Sequence, residues 1–209
     1  MAFTVRVFGI FTNGAEGSEN VQSRRARTLD DINRANQVWG AGFPGGARCE
    51  INFVLAGTYN FPDTTINGST VGSVDDPRVE NLIRQVREDE NDDSAIYVVY
   101  VSGETLSNGV STGNAGPATK FNDSTKLVGR AVITDRAANS FIFAHEAGHV
   151  LFGRFTPTGA LTLDDPSSGK PHNDDENNIM FPIVPNENPL INTEQCTTAR
   201  QSSVIVENS

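Results

Sequence analysis

The sequence predicts an α+β fold built on a twisted mixed sheet, with two or three helices besides a helix that carries a chemical motif. Runs rich in β-branched and aromatic residues indicate strands. Helical periodicity separates these runs in the N-terminal part, as expected when helices pack on a sheet. The predicted strands are 2–11, 49–56, 95–101 and 126–135.

The pattern changes after residue 153, where regular periodicity gives way to loops and a short helix predicted at 193–203. The chain length of 209 residues fits one domain. We therefore expect a single domain over 1–209, with an α/β-type N-terminal subdomain at 1–153. A small, loop-rich C-terminal subdomain at 154–209 would end in the short helix.

Each helix has local signals at its ends. Thr28 can cap a first helix that runs to about Trp39, because Gly40 is a natural stop. Asp76-Pro77 opens a second helix, with proline at the first helical position. Its apolar stripe consists of Val79, Leu82, Ile83 and Val86.

The remaining segments are predicted from composition. The run 95–101 is almost wholly apolar, which is typical of a strand covered on both faces. Segments 57–76 and 102–118 are rich in Gly, Ser and Asn and are expected to form surface loops.

Composition excludes some partners. The net charge is −10 and the sequence pI is about 4.7. Because a nucleic-acid-binding protein needs a basic face to neutralise phosphates, no nucleic-acid partner is expected. No apolar run approaches membrane-spanning length, so no membrane insertion is expected. We expect a monomer.

The two cysteines, Cys49 and Cys196, leave two readings open. Either they form one long-range disulfide, which would favour an oxidising compartment, or both are unpaired and lie in the core. The N-terminus lacks a basic start and a small-residue cleavage site, so no signal peptide is predicted within this chain. We expect secretion after removal of a leader, with a cytoplasmic location as the alternative.

The strongest chemical signal lies in 141–153, on a helix predicted over 137–152. Its motif is His145-Glu146-Ala-Gly-His149. Histidines four positions apart lie on one helix face, one turn from each other, and can bind the same metal ion. A glutamate next to the first histidine can serve as the base for a water activated by the metal.

A catalytic zinc site usually has three protein ligands, and the chain has one further histidine, His172. Asp164, Asp165 and Glu176 are alternatives of the thermolysin type, but their segment does not look helical. The acidic residues near His172 are otherwise expected to be solvated, to orient an imidazole through a hydrogen bond, or to bind Ca²⁺.

With these residues in view, the chain resembles the metzincin clan of zinc metallopeptidases. The helix motif, Gly153, His172 and the run Asn178-Ile179-Met180 occur in the order of that clan. Met180 is matched to the clan's Met-turn, in which a methionine lies beneath the metal, and Met-Phe-Pro is most similar to the Met-Tyr-Pro of matrixins.

The spacing departs from the usual clan motif. Phe152 and Phe155 occupy the positions that normally carry a glycine and the third histidine, and His172 comes much later. The loop between the second and third ligands is therefore expanded in this chain.

The resemblance implies a zinc-dependent endopeptidase in which His145, His149 and His172 bind Zn²⁺ and Glu146 is the general base. A protein or peptide substrate would extend along an edge strand within 114–132, and segment 181–190 would line the pocket beyond the scissile bond. Two alternatives are a non-catalytic binding module that contains zinc and a secreted toxin or effector protease kept latent by a partner.

Overall fold

Strand β1 (Ala2–Thr12) lies inside a six-stranded mixed sheet in the computed structural model, which describes residues 2–121 and 123–208. The strand order is β2–β1–β3–β5–β4, and β8 pairs with the first residues of β1. The other strands are β2 (Ile51–Phe61), β3 (Ala95–Val101), β4 (Gly113–Thr119), β5 (Leu127–Thr134), β6 (Arg154–Phe155), β7 (Leu161–Thr162) and β8 (Ile205–Asn208).

The sheet is parallel in its middle and antiparallel at β4 and β8. β1 runs parallel to β2 and β3, and β3 runs parallel to β5. β4 pairs antiparallel with β5 at the end of the strand order, and β8 runs antiparallel to β1. β6 and β7 form a separate two-stranded hairpin. This arrangement confirms the predicted mixed sheet and α+β class.

Among the described residues, four α-helices accompany the sheet: α1 (Val21–Ala35), α2 (Pro77–Glu90), α3 (Ile142–Phe152) and α4 (Thr193–Ala199). A short π-helical segment, Asn36–Ala41, extends α1 and carries Trp39. No described helix is long and apolar enough to cross a membrane.

Alternating side chains of the central strands feed a separate apolar cluster on each sheet face. Ile96, Val98 and Tyr100 of β3 belong to the cluster that contains α3, whereas Tyr97 and Val99 belong to the cluster that contains α2. All seven residues of β3 are buried, as predicted. The helices that matter for the site therefore pack on one face of the sheet.

Several element boundaries differ from the sequence predictions. Asn20, whose side chain accepts from Ser23 N, caps α1, so the predicted cap Thr28 lies inside the helix and bonds to the Arg24 carbonyl instead. β4 (Gly113–Thr119) includes the last six residues of the segment 102–118, which was expected to be a loop. The predicted helix at 193–203 ends at Ala199, and β8 follows it.

The sheet positions the helix that carries the motif. β5 ends at Thr134, a 3₁₀ turn over Asp135–Ala137 follows, and α3 begins at Ile142 rather than at 137. The Trp39 indole N–H donates to the Ala144 carbonyl at 2.9 Å, which ties α3 to the segment after α1. β4 also packs against α3, so an edge strand of the sheet lies beside the motif.

Candidate metal centre

Helix α3 brings His145 and His149 together on one face. The helix is apolar, with Phe143, Ala144 and Ala147 among its buried residues, and this burial fixes its rotation against the sheet. The Nε2 atoms of His145 and His149 lie 3.2 Å apart. The two imidazoles therefore converge on one point, as the four-residue spacing predicts.

His172 completes a triangle of imidazoles, although it comes from a loop rather than a helix. Its ring centroid lies 5.4 Å from that of His145 and 5.1 Å from that of His149. One ligand nitrogen from each residue lies within 4.8 Å of the others. In residues 2–121 and 123–208 no other group of three His, Cys, Asp or Glu side chains has this geometry, so the three histidines can hold one metal ion.

The hydrogen bond of His145 leaves the other ring nitrogen available to a metal. Its Nδ1 donates to the Ile179 carbonyl at 2.7 Å, which assigns the tautomer with Nε2 as the free lone pair. Burial lowers the pKa of His145 to about 4 and that of His149 to about 3. Burial also lowers the pKa of His172. Neutral imidazoles are the form that binds metal.

Glu146 lies in the same cleft with its side chain buried. Burial raises the pKa of its carboxyl group to about 8, and no described residue donates a hydrogen bond to it. Its Oε1 atom faces β4, where a Cβ atom at Gly113 would come within 2.7 Å of it. The positive charge of a metal ion held by the three histidines would favour the ionised form of the Glu146 carboxyl group.

Met180 is fully buried beneath α3, in the turn that follows the His172 loop. The Phe181 amide donates to the Asn178 carbonyl at 2.9 Å, which closes a 1,4-turn over residues 178–181. A Cβ atom at Gly148 would lie 2.3 Å from the Met180 sulfur. Glycine at 148 is therefore what allows the methionine to approach the helix between the two histidines.

A buried polar network holds the His172 loop against this turn. Gln195 of α4 donates to Asp165 at 2.7 Å and exchanges two amide hydrogen bonds with Asn178, at 2.9 and 3.1 Å. Asp165 also accepts from Asn173 at 2.8 Å, next to His172. Asp165 and Gln195 are both fully buried, so this network is shielded from water. Hydrogen bonds in the protein interior are stronger than those in water.

The two cysteines form a disulfide that anchors α4. Cys196 lies next to Gln195 in that helix, and Cys49 lies just before β2. The pairing joins residues 147 positions apart in sequence. It therefore ties the polar network, and with it the His172 loop, to the sheet.

One cleft of about 940 Å³ contains the three histidines, Glu146 and the start of β4. The segment after Met180 lines its other side, through residues 182–186.

The structure thus brings together His145, Glu146, His149 and His172, with Met180 below them. Of the alternative acidic ligands, Asp164 lines the cleft, Asp165 is held in the polar network and Glu176 is exposed. The acidic residues of 164–176 form no cluster of three metal-binding side chains in the described part of the chain, which gives the Ca²⁺ prediction no support.

Sequence reasoning missed the supporting roles of Asp165, Gln195 and the Ile179 carbonyl. A partial signal exists for Gln195, because Asn192 and Gln195 form a capping box at the start of α4. Asp165 accepts locally from the Ser167 amide and hydroxyl, but no local pattern connects it with Gln195.

Comparisons with known proteins support the fold only. No protein-family model matches the chain, and no curated protein matches it. Among solved structures, the chain is similar to metalloproteinase-II from Bacteroides fragilis, with a TM-score of 0.55 and 14% sequence identity. The match covers 95% of this chain and 53% of that one, so this chain spans about half the length of the structure it matches.

Proposed function

We propose that this protein is a zinc-dependent endopeptidase of the metzincin type. The observation that carries the proposal is the convergence of three imidazole nitrogens and the Glu146 carboxylate in one cleft beside an edge strand. Three histidines with an open fourth position are the ligand set of catalytic zinc, whereas a structural zinc is usually enclosed by four protein ligands. The described residues supply no fourth side-chain ligand.

The residues present fit a zinc ion in their chemistry. Burial keeps His145 and His149 neutral, and the Ile179 carbonyl fixes the tautomer of His145. We assign the 1,4-turn at 178–181, with Met180 beneath the helix, to the clan's Met-turn. The structural similarity to a protein named as a metalloproteinase supports the peptidase class of this proposal.

In the proposed mechanism, a zinc ion held by His145, His149 and His172 would supply Lewis-acid chemistry at the scissile carbonyl and would lower the pKa of the attacking water towards ~7. Glu146 accepts a proton from that water and delivers it to the leaving amine. Burial favours the protonated form of the Glu146 carboxyl group, which delivers the proton, and a bound metal ion would favour the ionised form, which accepts it.

The substrate in this proposal is a protein or peptide in extended conformation. β4 ends the strand order of the main sheet and its residues 113–115 line the cleft, so it can pair with an added strand. The segment that begins at Pro182 would line the pocket beyond the scissile bond. The Cys49–Cys196 disulfide supports an extracellular site of action, and we propose that the protein acts there as a monomer.

The test is Glu146→Gln, which keeps the side-chain volume and removes the base. We expect hydrolysis of a generic denatured protein to fall about 10²–10⁴-fold, with zinc content unchanged by elemental analysis. Chelation should abolish the wild-type activity, and added zinc should restore it. Full activity in the Gln variant would show that Glu146 is not the base, and zinc binding without hydrolysis in the wild type would favour a non-catalytic module.

A further inference from the structure

The register of β4 against β5 shows which backbone groups of β4 face away from the sheet. At one end of the pair the Thr134 amide donates to the Thr112 carbonyl at 2.9 Å, and at the other the Lys120 amide donates to the Lys126 carbonyl at 3.0 Å. In an antiparallel pair, alternate residues bond to the neighbouring strand. The even-numbered residues of β4 therefore bond to β5, and the odd-numbered residues of 113–119 point their amides and carbonyls outwards.

This outward edge is open to the metal cleft only at its first residues. Gly113 and Ala115 line the cleft, whereas no later residue of β4 is part of the lining in the portion of the chain that the structure describes. A Cβ atom at Gly113 would lie 2.7 Å from Oε1 of Glu146. An added strand would therefore pair with β4 beside the candidate base, and its pairing would extend along the edge towards Pro117.

Pro117 closes the edge two residues after Ala115. Proline has no amide hydrogen, so it cannot donate to an added strand. Its carbonyl already accepts from the Arg130 guanidinium at 3.1 Å. Pro117 is also buried, and a Cβ atom at Gly153, where α3 ends, would lie 3.1 Å from its ring. Neither backbone group of residue 117 is therefore available for pairing.

Arg130 is held in place by a second contact. It is 7% exposed, and its guanidinium also donates to the Asp75 carboxylate at 2.8 Å. Asp75 belongs to the loop before α2, in which the Val74 amide donates to the Asn114 side chain at 2.9 Å. Because a buried guanidinium that loses a partner is costly, Arg130 does not readily release the Pro117 carbonyl to a competing strand.

The position of Glu146 gives the direction of an added strand. Antiparallel pairing is slightly more stable per residue than parallel pairing, so a substrate is expected to run opposite to β4. Its chain then passes the Pro117 end of the strand first and reaches Gly113, beside Glu146, last. The residues that pair with β4 are therefore on the N-terminal side of the scissile bond.

We propose that β4 pairs with only about three residues of a substrate, those opposite 113–115, and that Pro117 and Arg130 set this limit. This inference rests on the proposed function, since it defines the binding edge of the same cleft. Pro117 is then a specificity-determining residue that fixes how much of the substrate backbone is bound, independently of the substrate's side chains.

The first experiment locates the paired amides in a substrate. A bond that the zinc-loaded wild type cuts in denatured casein is identified by mass spectrometry, and a peptide is made with six residues before that bond and four after it. Each backbone amide before the bond is N-methylated in turn, which removes its hydrogen. We expect kcat/KM to fall about tenfold at two positions, two residues apart, within the four residues nearest the bond, and less than about twofold beyond them.

The second experiment uses Pro117→Ala, which restores an amide hydrogen at the closed end. A third sensitive position should appear in this variant, two residues further from the bond, with a loss of about three- to tenfold. Pro44→Ala is the matched control, since Pro44 is exposed and lies outside the cleft lining, and it should keep the wild-type pattern. Circular dichroism and zinc content establish whether Pro117→Ala is folded, and the wild-type pattern tests the limit without that variant.

Two results with the wild type overturn the proposal. One is a loss at the fifth or sixth residue before the bond as large as the losses nearer to it, and the other is a pattern without any sensitive position. A folded Pro117→Ala protein that keeps the wild-type pattern overturns the role of Pro117. Failure of the proposed function is distinct, because it would appear as no cleavage of casein by the zinc-loaded wild type.

Discussion

Helix α3 and the loop that carries His172 hold their ligands by different means. In the helix, backbone geometry sets the spacing of His145 and His149, and apolar packing sets which face they occupy. In the loop, no regular structure surrounds His172, and a buried polar network around Asp165 and Gln195 replaces it. Ligand geometry in the first case is local, whereas in the second it depends on residues far away in the chain.

This difference between the helix and the loop indicates where the chain can accept extra residues without displacing a metal ligand. The connection between His149 and His172 can lengthen because its end is fixed by Asp165, Asn173 and the turn at 178–181 rather than by continuity with the helix. The Asn173 amide donates to the Met180 carbonyl at 2.8 Å, so the residue after His172 is attached to the turn directly. The extra residues are then free to form the β6–β7 hairpin.

The largest effects should come from removing ligands. We expect His145→Ala and His172→Ala each to weaken zinc affinity at least about 100-fold, beyond the usual cost of losing a supporting hydrogen bond. Only His145→Ala should also destabilise the metal-free protein, by about 1–3 kcal/mol, because it leaves the buried Ile179 carbonyl without its donor. Chelator competition and denaturant unfolding measure the two effects. Zinc affinity unaltered in His172→Ala would remove that residue from the ligand set.

The polar network is tested next by Asp165→Ala. The change leaves Gln195 and Asn173 with one fewer acceptor each, so the His172 loop should lose its fixed position. We expect zinc affinity to fall about 10–100-fold, while circular dichroism of the helices stays near that of the wild type.

Asp165→Asn should recover much of the affinity, since it keeps one acceptor oxygen. Asp174→Ala is the matched control, because Asp174 is exposed in the same loop and pairs only with Lys170. If Asp174→Ala weakens zinc binding as much as Asp165→Ala does, general loop charge rather than the buried network positions His172.

A smaller effect is expected on the helix side from Gly148→Ala. The added Cβ atom would overlap the buried Met180 sulfur at 2.3 Å. Overpacking of this kind costs about 1–3 kcal/mol, and alanine's better helix propensity returns up to about 1 kcal/mol. We therefore expect a net loss of about 1–2 kcal/mol in the free energy of unfolding. Gly72→Ala, whose Cβ atom would stay 3.6 Å from its nearest neighbour, should cost less, and equal losses would argue against a tight Gly148–Met180 contact.

A graded effect is expected in the pH dependence of the stability of the metal-free protein. Between pH 4.5 and 6.5 the unfolded chain binds protons at His145 and His149 that the folded protein lacks, whereas the folded protein retains one at Glu146. These three groups together make stability rise with pH in this window, by about 1.4 kcal/mol per pH unit, and the raised pKa of Asp31, about 6, offsets that rise below pH 6.

Above pH 6.5 the sign reverses. The unfolded histidines are neutral there, but the folded Glu146 keeps its proton up to about pH 8, so stability falls as pH rises. In Glu146→Gln this falling limb should disappear. Thermal melts with chelator over about pH 5–9 compare the two proteins. Identical profiles above pH 6.5 would contradict a raised pKa at Glu146.

The sequence by itself determined the parts of the site that depend on local geometry. The spacing of His145 and His149 places both imidazoles on one helix face in any α-helix, and the scarcity of histidine singled out His172. It also predicted α2, with Asp76 as its cap, and the wholly buried β3. The α+β class followed from the same periodicities.

Only the tertiary structure decided what depends on distant contacts. β4 has few strand-forming residues and exists because β5 pairs with it. Likewise, the pairing of Cys49 with Cys196 and the role of Asp165 join residues that no local pattern connects. Short-range spacing fixes a helix face, but the position of a loop is set by the side chains from other elements that satisfy its buried polar groups.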